Sequence, residues 1–112
     1  MDNIKNDSYY LEKILADLLF VIEQTENKTQ EDIKENVLLI DSIMFRIIQV
    51  AENSSRLTEE FKEKHQDIPW FAIKGMRNKI VHNYGIINMS VVYDTVKNGI
   101  PEMYEKMKKI VK

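Results

Sequence analysis

Three Gly and two Pro in a chain of 112 residues leave few places where a helix has to stop. Apolar residues recur at three- and four-residue spacing almost throughout, the period of one helix face, and no alternating strand pattern stands out. A first helix is expected from near Asn3 to near Thr25, with Ile4, Leu11, Ile14, Leu15, Leu18, Leu19 and Ile22 along its stripe and Tyr9, Tyr10 and Phe20 widening it. The polar run Glu26-Asn27-Lys28 breaks it. Thr29 then reads as an N-cap with Asp32 three residues on, a capping-box arrangement. A second helix follows from about Gln30 to about Ser54, burying Ile33, Val37, Ile40, Met44, Ile47, Ile48 and Ala51. Leu38 and Phe45 fall on another side of it, as expected if a further helix or a second subunit covers that side.

Asn53-Ser54-Ser55 is a plausible break, and Thr58 caps a short third helix over Glu59 to Lys64. Pro69 opens a fourth helix, in whose first turn a missing N–H costs nothing. Trp70, Phe71, Ile73, Met76, Ile80 and Val81 give its apolar surface, and Tyr84-Gly85 its end. Gly75 within it costs about 1 kcal/mol of helix propensity and is read as allowing close approach of a neighbouring backbone. Asn88 caps a fifth helix from Met89 to about Lys97, ended by the C-cap signal Asn98-Gly99. Pro101 restarts a final helix with Met103, Tyr104, Met107, Ile110 and Val111. The expectation is an all-α, up-and-down bundle of four to five main helices, forming a single domain over residues 1–112.

Composition narrows the function. Without Cys there is no disulfide, thiolate zinc site or thiol nucleophile. The N-terminus lacks a signal-peptide layout and no apolar run reaches membrane-spanning length, so a cytoplasmic protein with no membrane partner is expected. The formal net charge of −2 gives no global attraction for nucleic acid. Base is nevertheless focused at Lys74, Arg77 and Lys79, and again at Lys106, Lys108, Lys109 and Lys112, the last group reading as a solvated helix face. Two His and no clustered His–carboxylate spacing give little support for a transition-metal site, and neither a metal nor a cofactor is expected.

The segment Arg77-Asn78-Lys79-Ile80-Val81-His82-Asn83-Tyr84 carries the chemistry. Arginine is permanently charged and forks onto phosphate oxygens. Histidine moves protons near neutral pH. RNA brings its own nucleophile, the 2′-hydroxyl, so a base, an acid and a cation over the phosphoryl oxygens suffice without a metal. On one regular helix Arg77 and His82 stand about 140° apart, whereas Asn78 and His82 share a face. A shared site therefore needs a long Arg reach, a helix that ends near His82, or a second subunit completing the pocket. Asn78 could orient His82 or bind substrate.

The surrounding residues make this segment specific. Ile68-Pro69-Trp70, then Gly75-Met76-Arg77-Asn78, then His82-Asn83-Tyr84 resemble the HEPN superfamily and, within it, the HepT-like toxins, whose signature is Arg, four residues, His, any residue, Tyr. The resemblance runs roughly from Ile43 to Val111. It implies a small helical bundle that forms a homodimer with the motif in a cleft between subunits, acting as a metal-independent ribonuclease on RNA. It implies Arg77 and His82 as catalytic residues and Asn78 as a supporting one. It further implies a type VII-like toxin–antitoxin module, in which a minimal nucleotidyltransferase antitoxin AMPylates Tyr84. The alternative is a catalytically inactive HEPN module that binds RNA, a nucleotide or the nucleotidyltransferase. Two positions depart from the family pattern: Asn83 is neutral where many relatives are acidic, and Ala51-Glu52 stands where many have Gly-Glu.

Other candidates have plainer readings. Trp70 could stack a base but fits core or interface better. His65, in a charged stretch, is expected to be solvent-exposed. Arg46 and Arg56 could extend a basic cleft, although an Arg46 within an apolar run fits a paired or interface role as well.

Overall fold

A computed structural model describes residues 6–80 and 86–111. The expected termini fall largely where local chemistry puts them. α1 spans Asp7–Thr25 behind Asn6, whose side chain accepts from the Tyr9 N–H. α2 is short, Gln30–Lys34, and Thr29 and Asp32 close the full reciprocal capping box. α3 spans Val37–Ser55 and α4 spans Glu59–Lys64, the latter capped by Thr58. α5 (Trp70–Lys74) and α6 (Met76–Ile80) follow, then α7 (Met89–Asp94), a π-helical turn over Thr95–Gly99, and α8 (Ile100–Lys108). No extended strand occurs among the described residues, and none of their helices is long and apolar enough to cross a membrane.

Three expectations need correction. The long second helix is two helices, because Asn36 breaks it: its side chain accepts the Leu39 N–H at 3.0 Å and caps a fresh start, an option a mid-helix residue would not have. The fourth helix is likewise divided at Gly75, which sits at φ −92°, ψ 3° between α5 and α6. A Cβ added there would meet only the Phe71 carbonyl oxygen at 3.8 Å, so Gly75 is a point of turning and not of close backbone approach. Finally, Asn98-Gly99 does not end a helix. The chain runs through it as a π turn, with Gly99 at a helical φ of −63° and Asn98 Nδ2 donating to Asp94 Oδ1 at 2.8 Å. Pro101 has no N–H to give the preceding turn, and the wider turn absorbs its ring without stopping the helix.

α1 and α3 lie antiparallel, as two cross-links show. Near its start, Asp7 accepts from the Thr58 N–H and hydroxyl, both at 2.8 Å. Further along, Asp17 meets Arg46 at 2.8 Å. The α7–π–α8 segment returns along α1, and Lys97 Nζ donates at 2.6 Å to the Thr25 carbonyl, which also accepts the Lys28 N–H at 3.2 Å. Ile14, Leu18, Ile33, Ile43, Ile73, Ile80 and Met107 are almost wholly removed from water within one contiguous core. Each such side chain contributes roughly 1.5–3 kcal/mol of burial.

One part of α3 escapes that core. Leu38 is 80% exposed and Phe45 57%, and Val37 and Ile48, both expected to be buried, are open as well, Ile48 at 41%. Leu38 and Phe45 are seven residues apart, within about 20° of one line along the helix, and Ile48 lies about 60° further round. The second apolar side expected of this helix therefore exists, and no described element of the chain covers it.

Candidate functional site

The short helices α5 and α6 are anchored from below. Ile73, Met76 and Ile80, at three- and four-residue spacing, enter the core against α3. With that face committed, Arg77 and Asn78 turn outward and both are exposed. Arg77 Nη1 donates to Asn78 Oδ1 at 3.2 Å. The amide thus holds the guanidinium, a second task beside the one foreseen for it. Asn78 Nδ2 finds no acceptor among the described residues and is left to donate outward.

Arg77 and Asn78 border a hollow of about 300 Å³. Its one wall is the end of α3, with Ile48, Ala51, Glu52 and Ser55, and its other is Lys74, Arg77 and Asn78. Ile48 belongs both to this hollow and to the uncovered apolar stripe, so the stripe leads into the site. Glu52, the acid retained in the departed Gly-Glu pair, is also at the hollow, where it meets Arg56 at 3.6 Å. Lys74 was visible in the sequence as part of a basic cluster but not as a site residue; its spacing of three from Arg77 was the available signal.

The basic cluster does not act as one patch. Lys79, two residues from Arg77, borders a different hollow of about 190 Å³ between α5–α6 and the π turn and α8, near Asp94, Glu102 and Lys106. Nor does Arg46 join a cleft. It is paired with Asp17 and lies 3.9 Å over the Phe20 ring. His65 is half-buried instead of exposed: Phe61 packs on it at 4.7 Å and its carbonyl accepts the Trp70 indole N–H at 3.0 Å. Trp70 is half-buried beside Phe61, as the plainer reading had it. In the C-terminal basic run, Lys106 donates to the Asp67 carbonyl while Lys108 and Lys109 are exposed.

His82, Asn83 and Tyr84 lie outside the described residues. On either side of them, Ile80 and Asn88 are joined by an N–H···O bond of 2.9 Å. Among the described residues no group of three or more His, Asp or Glu side chains is placed to hold a metal ion.

Sequence comparison decides the family. The family model described as "Ribonuclease HepT-like" matches residues 11–110, nearly the whole chain and every described element of the site. The chain belongs to the HepT-like ribonuclease family. Among its relatives, a protein of Caldanaerobacter subterraneus subsp. tengcongensis named "Putative RNase" is 32% identical over 108 residues, covering 96% of each chain. "Probable ribonuclease HepT" of Thermococcus cleftensis is 32% identical over 102 residues, 88% of this chain and 93% of that one. A Methanocaldococcus jannaschii protein named "Gamma-glutamylcyclotransferase and putative RNase" is 31% identical over 107 residues, 96% of this chain but 48% of its own length. No solved structure matches the chain significantly. Membership in this family supports RNA cleavage as the activity of the chain.

Proposed function

We propose that this HepT-like protein is a metal-independent endoribonuclease acting as a homodimer, with Arg77 and His82 as catalytic residues and Asn78 in support. The observation that carries this reading is the pairing of Arg77 with Asn78 at a solvent-open hollow that adjoins an uncovered apolar stripe. A second copy seated on Leu38, Phe45 and Ile48 buries those side chains and brings its own motif toward the same cleft.

In the reaction, His82 of one copy takes the proton of the 2′-hydroxyl, whose oxygen then attacks the adjacent phosphorus. The bond to the 5′-oxygen breaks, and that oxygen takes a proton from the other copy's imidazolium, leaving a 2′,3′-cyclic phosphate and a free 5′-hydroxyl. Arg77 stabilises the charge that builds on the phosphoryl oxygens, held ready by Asn78. Within a type VII-like toxin–antitoxin module, a minimal nucleotidyltransferase silences the site by transferring AMP from ATP to the Tyr84 hydroxyl, which gives up its proton as pyrophosphate leaves. The added phosphate and nucleoside put negative charge and bulk beside His82, where RNA phosphate must sit.

Purified protein is expected to cleave RNA in excess chelator, and His82→Ala to abolish both that cleavage and any growth arrest on expression. Loss of wild-type cleavage with EDTA ends the metal-free mechanism. RNA binding without cleavage favours the inactive binding module. Co-expression with a cognate nucleotidyltransferase is expected to add AMP-sized mass that is absent in Tyr84→Phe. An unmodified wild-type chain ends the AMPylation proposal.

A further inference from the structure

The groove does not stop at Arg77. Ala51, Ser55 and Lys74 border both the Arg77 hollow and a second one of about 180 Å³ that reaches Ser54, Glu59, Lys62 and Trp70. The two therefore adjoin along the last turns of α3. Three cations mark the path: Arg77, then Lys74 three residues before it, then Lys62 on α4, whose side chain is only 19% exposed. Such a row suits a chain of phosphates better than one isolated anion.

The far hollow has the features of a nucleotide pocket. Ser54 is 4% exposed and its hydroxyl finds no hydrogen-bond partner among the described residues. A ligand that bonds to this hydroxyl supplies the hydrogen bond that the folded chain leaves unmade. The Trp70 indole N–H is already bonded to the His65 carbonyl, so what Trp70 offers the hollow is aromatic surface, which accepts any base by stacking. Glu59 meets Lys62 at 3.8 Å, but its own side chain is 87% exposed, and so open a pair yields readily to a phosphate.

We propose that this second hollow is an RNA subsite: Lys74 and Lys62 hold the phosphate next to the scissile one, and the adjoining base rests against Trp70 and bonds to the Ser54 hydroxyl. The subsite rests on the reading of Arg77 as the centre of an RNA-cleaving site. It explains how a cut position is chosen by contacts beyond the reacting phosphate.

The test compares the full-length wild type with Lys62→Gln, Lys74→Gln and Ser54→Ala, each first shown to melt like the wild type. Two readouts are used. One is binding of a fluorescent single-stranded RNA decamer across salt concentrations, in a His82→Ala background so that it stays intact. The other is cleavage of that decamer and of a dinucleoside monophosphate, which lacks the neighbouring phosphate. Each lysine variant is expected to weaken decamer binding about five- to tenfold and to reduce the slope of log K against log salt by about 0.7, one single-strand phosphate contact. Dinucleotide cleavage stays unchanged in Lys62→Gln, since Lys62 borders only the second hollow. Ser54→Ala is expected to flatten the base preference beside the cut. Lysine variants with wild-type affinity and slope overturn the subsite, as does an equal loss on decamer and dinucleotide in Lys62→Gln. If the lysine-dependent slopes appear but the wild type cleaves neither substrate, the nuclease reading fails and the subsite's place beside a scissile phosphate falls with it, leaving a groove that only binds RNA. If RNA is not bound at all, both fall.

Discussion

α3 shows two apolar faces with opposite fates. On one, Ile43, Ile47 and Val50 are at most 1% exposed and form the floor on which α1, α5 and α6 pack. On the other, Leu38, Phe45 and Ile48 are equally apolar and stand in water. The covered face is what the chain needs to fold. The open face exceeds that need, and it ends at the hollow of Arg77. A helix apolar all round belongs in an interior, and here the chain supplies only half of one.

That contrast can be broken or sharpened by substitution. On the covered face, Ile47→Ala is expected to lower unfolding free energy by about 2–5 kcal/mol, read from urea denaturation. A change below 1 kcal/mol shows that the face is not packed as described. On the open face, Phe45→Glu is expected to leave the fold intact and weaken self-association by about thirtyfold or more, seen by sedimentation equilibrium. Unaltered assembly removes that stripe from the proposed dimer. Asn36→Ala, at the break that sets where α3 begins, is expected to cost about 1 kcal/mol, visible as a lowered melting temperature. The smallest effect concerns acid. The Thr29 backbone N–H, then its hydroxyl, hold the Asp32 carboxyl below the usual carboxylate range. A lowered folded-state value means its stabilisation is complete above that range and disappears as pH falls through the lowered value. The stability gap between wild type and Asp32→Ala should therefore narrow steadily toward the acid end, and a gap that widens there contradicts the capping box.

Much of this was legible in the sequence, and for identifiable reasons. Thr29, Thr58 and Asn88 announced helix starts because their side chains cap in a way that depends on neighbours only three residues away. The break at Asn36 was hidden, since an Asn within an apolar period also fits an exposed helix position. Asn98-Gly99 misled in the other direction: the same pair that ends many helices here passes through a π turn, which a proline two residues on makes favourable. At the site, the periodicity of Ile73, Met76 and Ile80 announced the face that enters the core, whereas Phe71, read as part of the same surface, is 91% exposed. The periodicity could not foretell that Asn78 would hold Arg77, nor that Lys74 and Lys79 would serve different hollows. Those outcomes depend on how α5 and α6 lean on α3 and α8, a tertiary fact with no local signature.

The sharpest measurement sets two cations two residues apart against each other. RNA cleavage by purified Arg77→Ala and Lys79→Ala is compared with wild type under one salt condition. A guanidinium that stabilises the reacting phosphate predicts a loss of about 10²–10³ for Arg77→Ala, the scale of a removed transition-state donor. A lysine bordering another hollow predicts a change of about twofold for Lys79→Ala. Equal losses in the two variants, or an active Arg77→Ala, contradict the site at the end of α3.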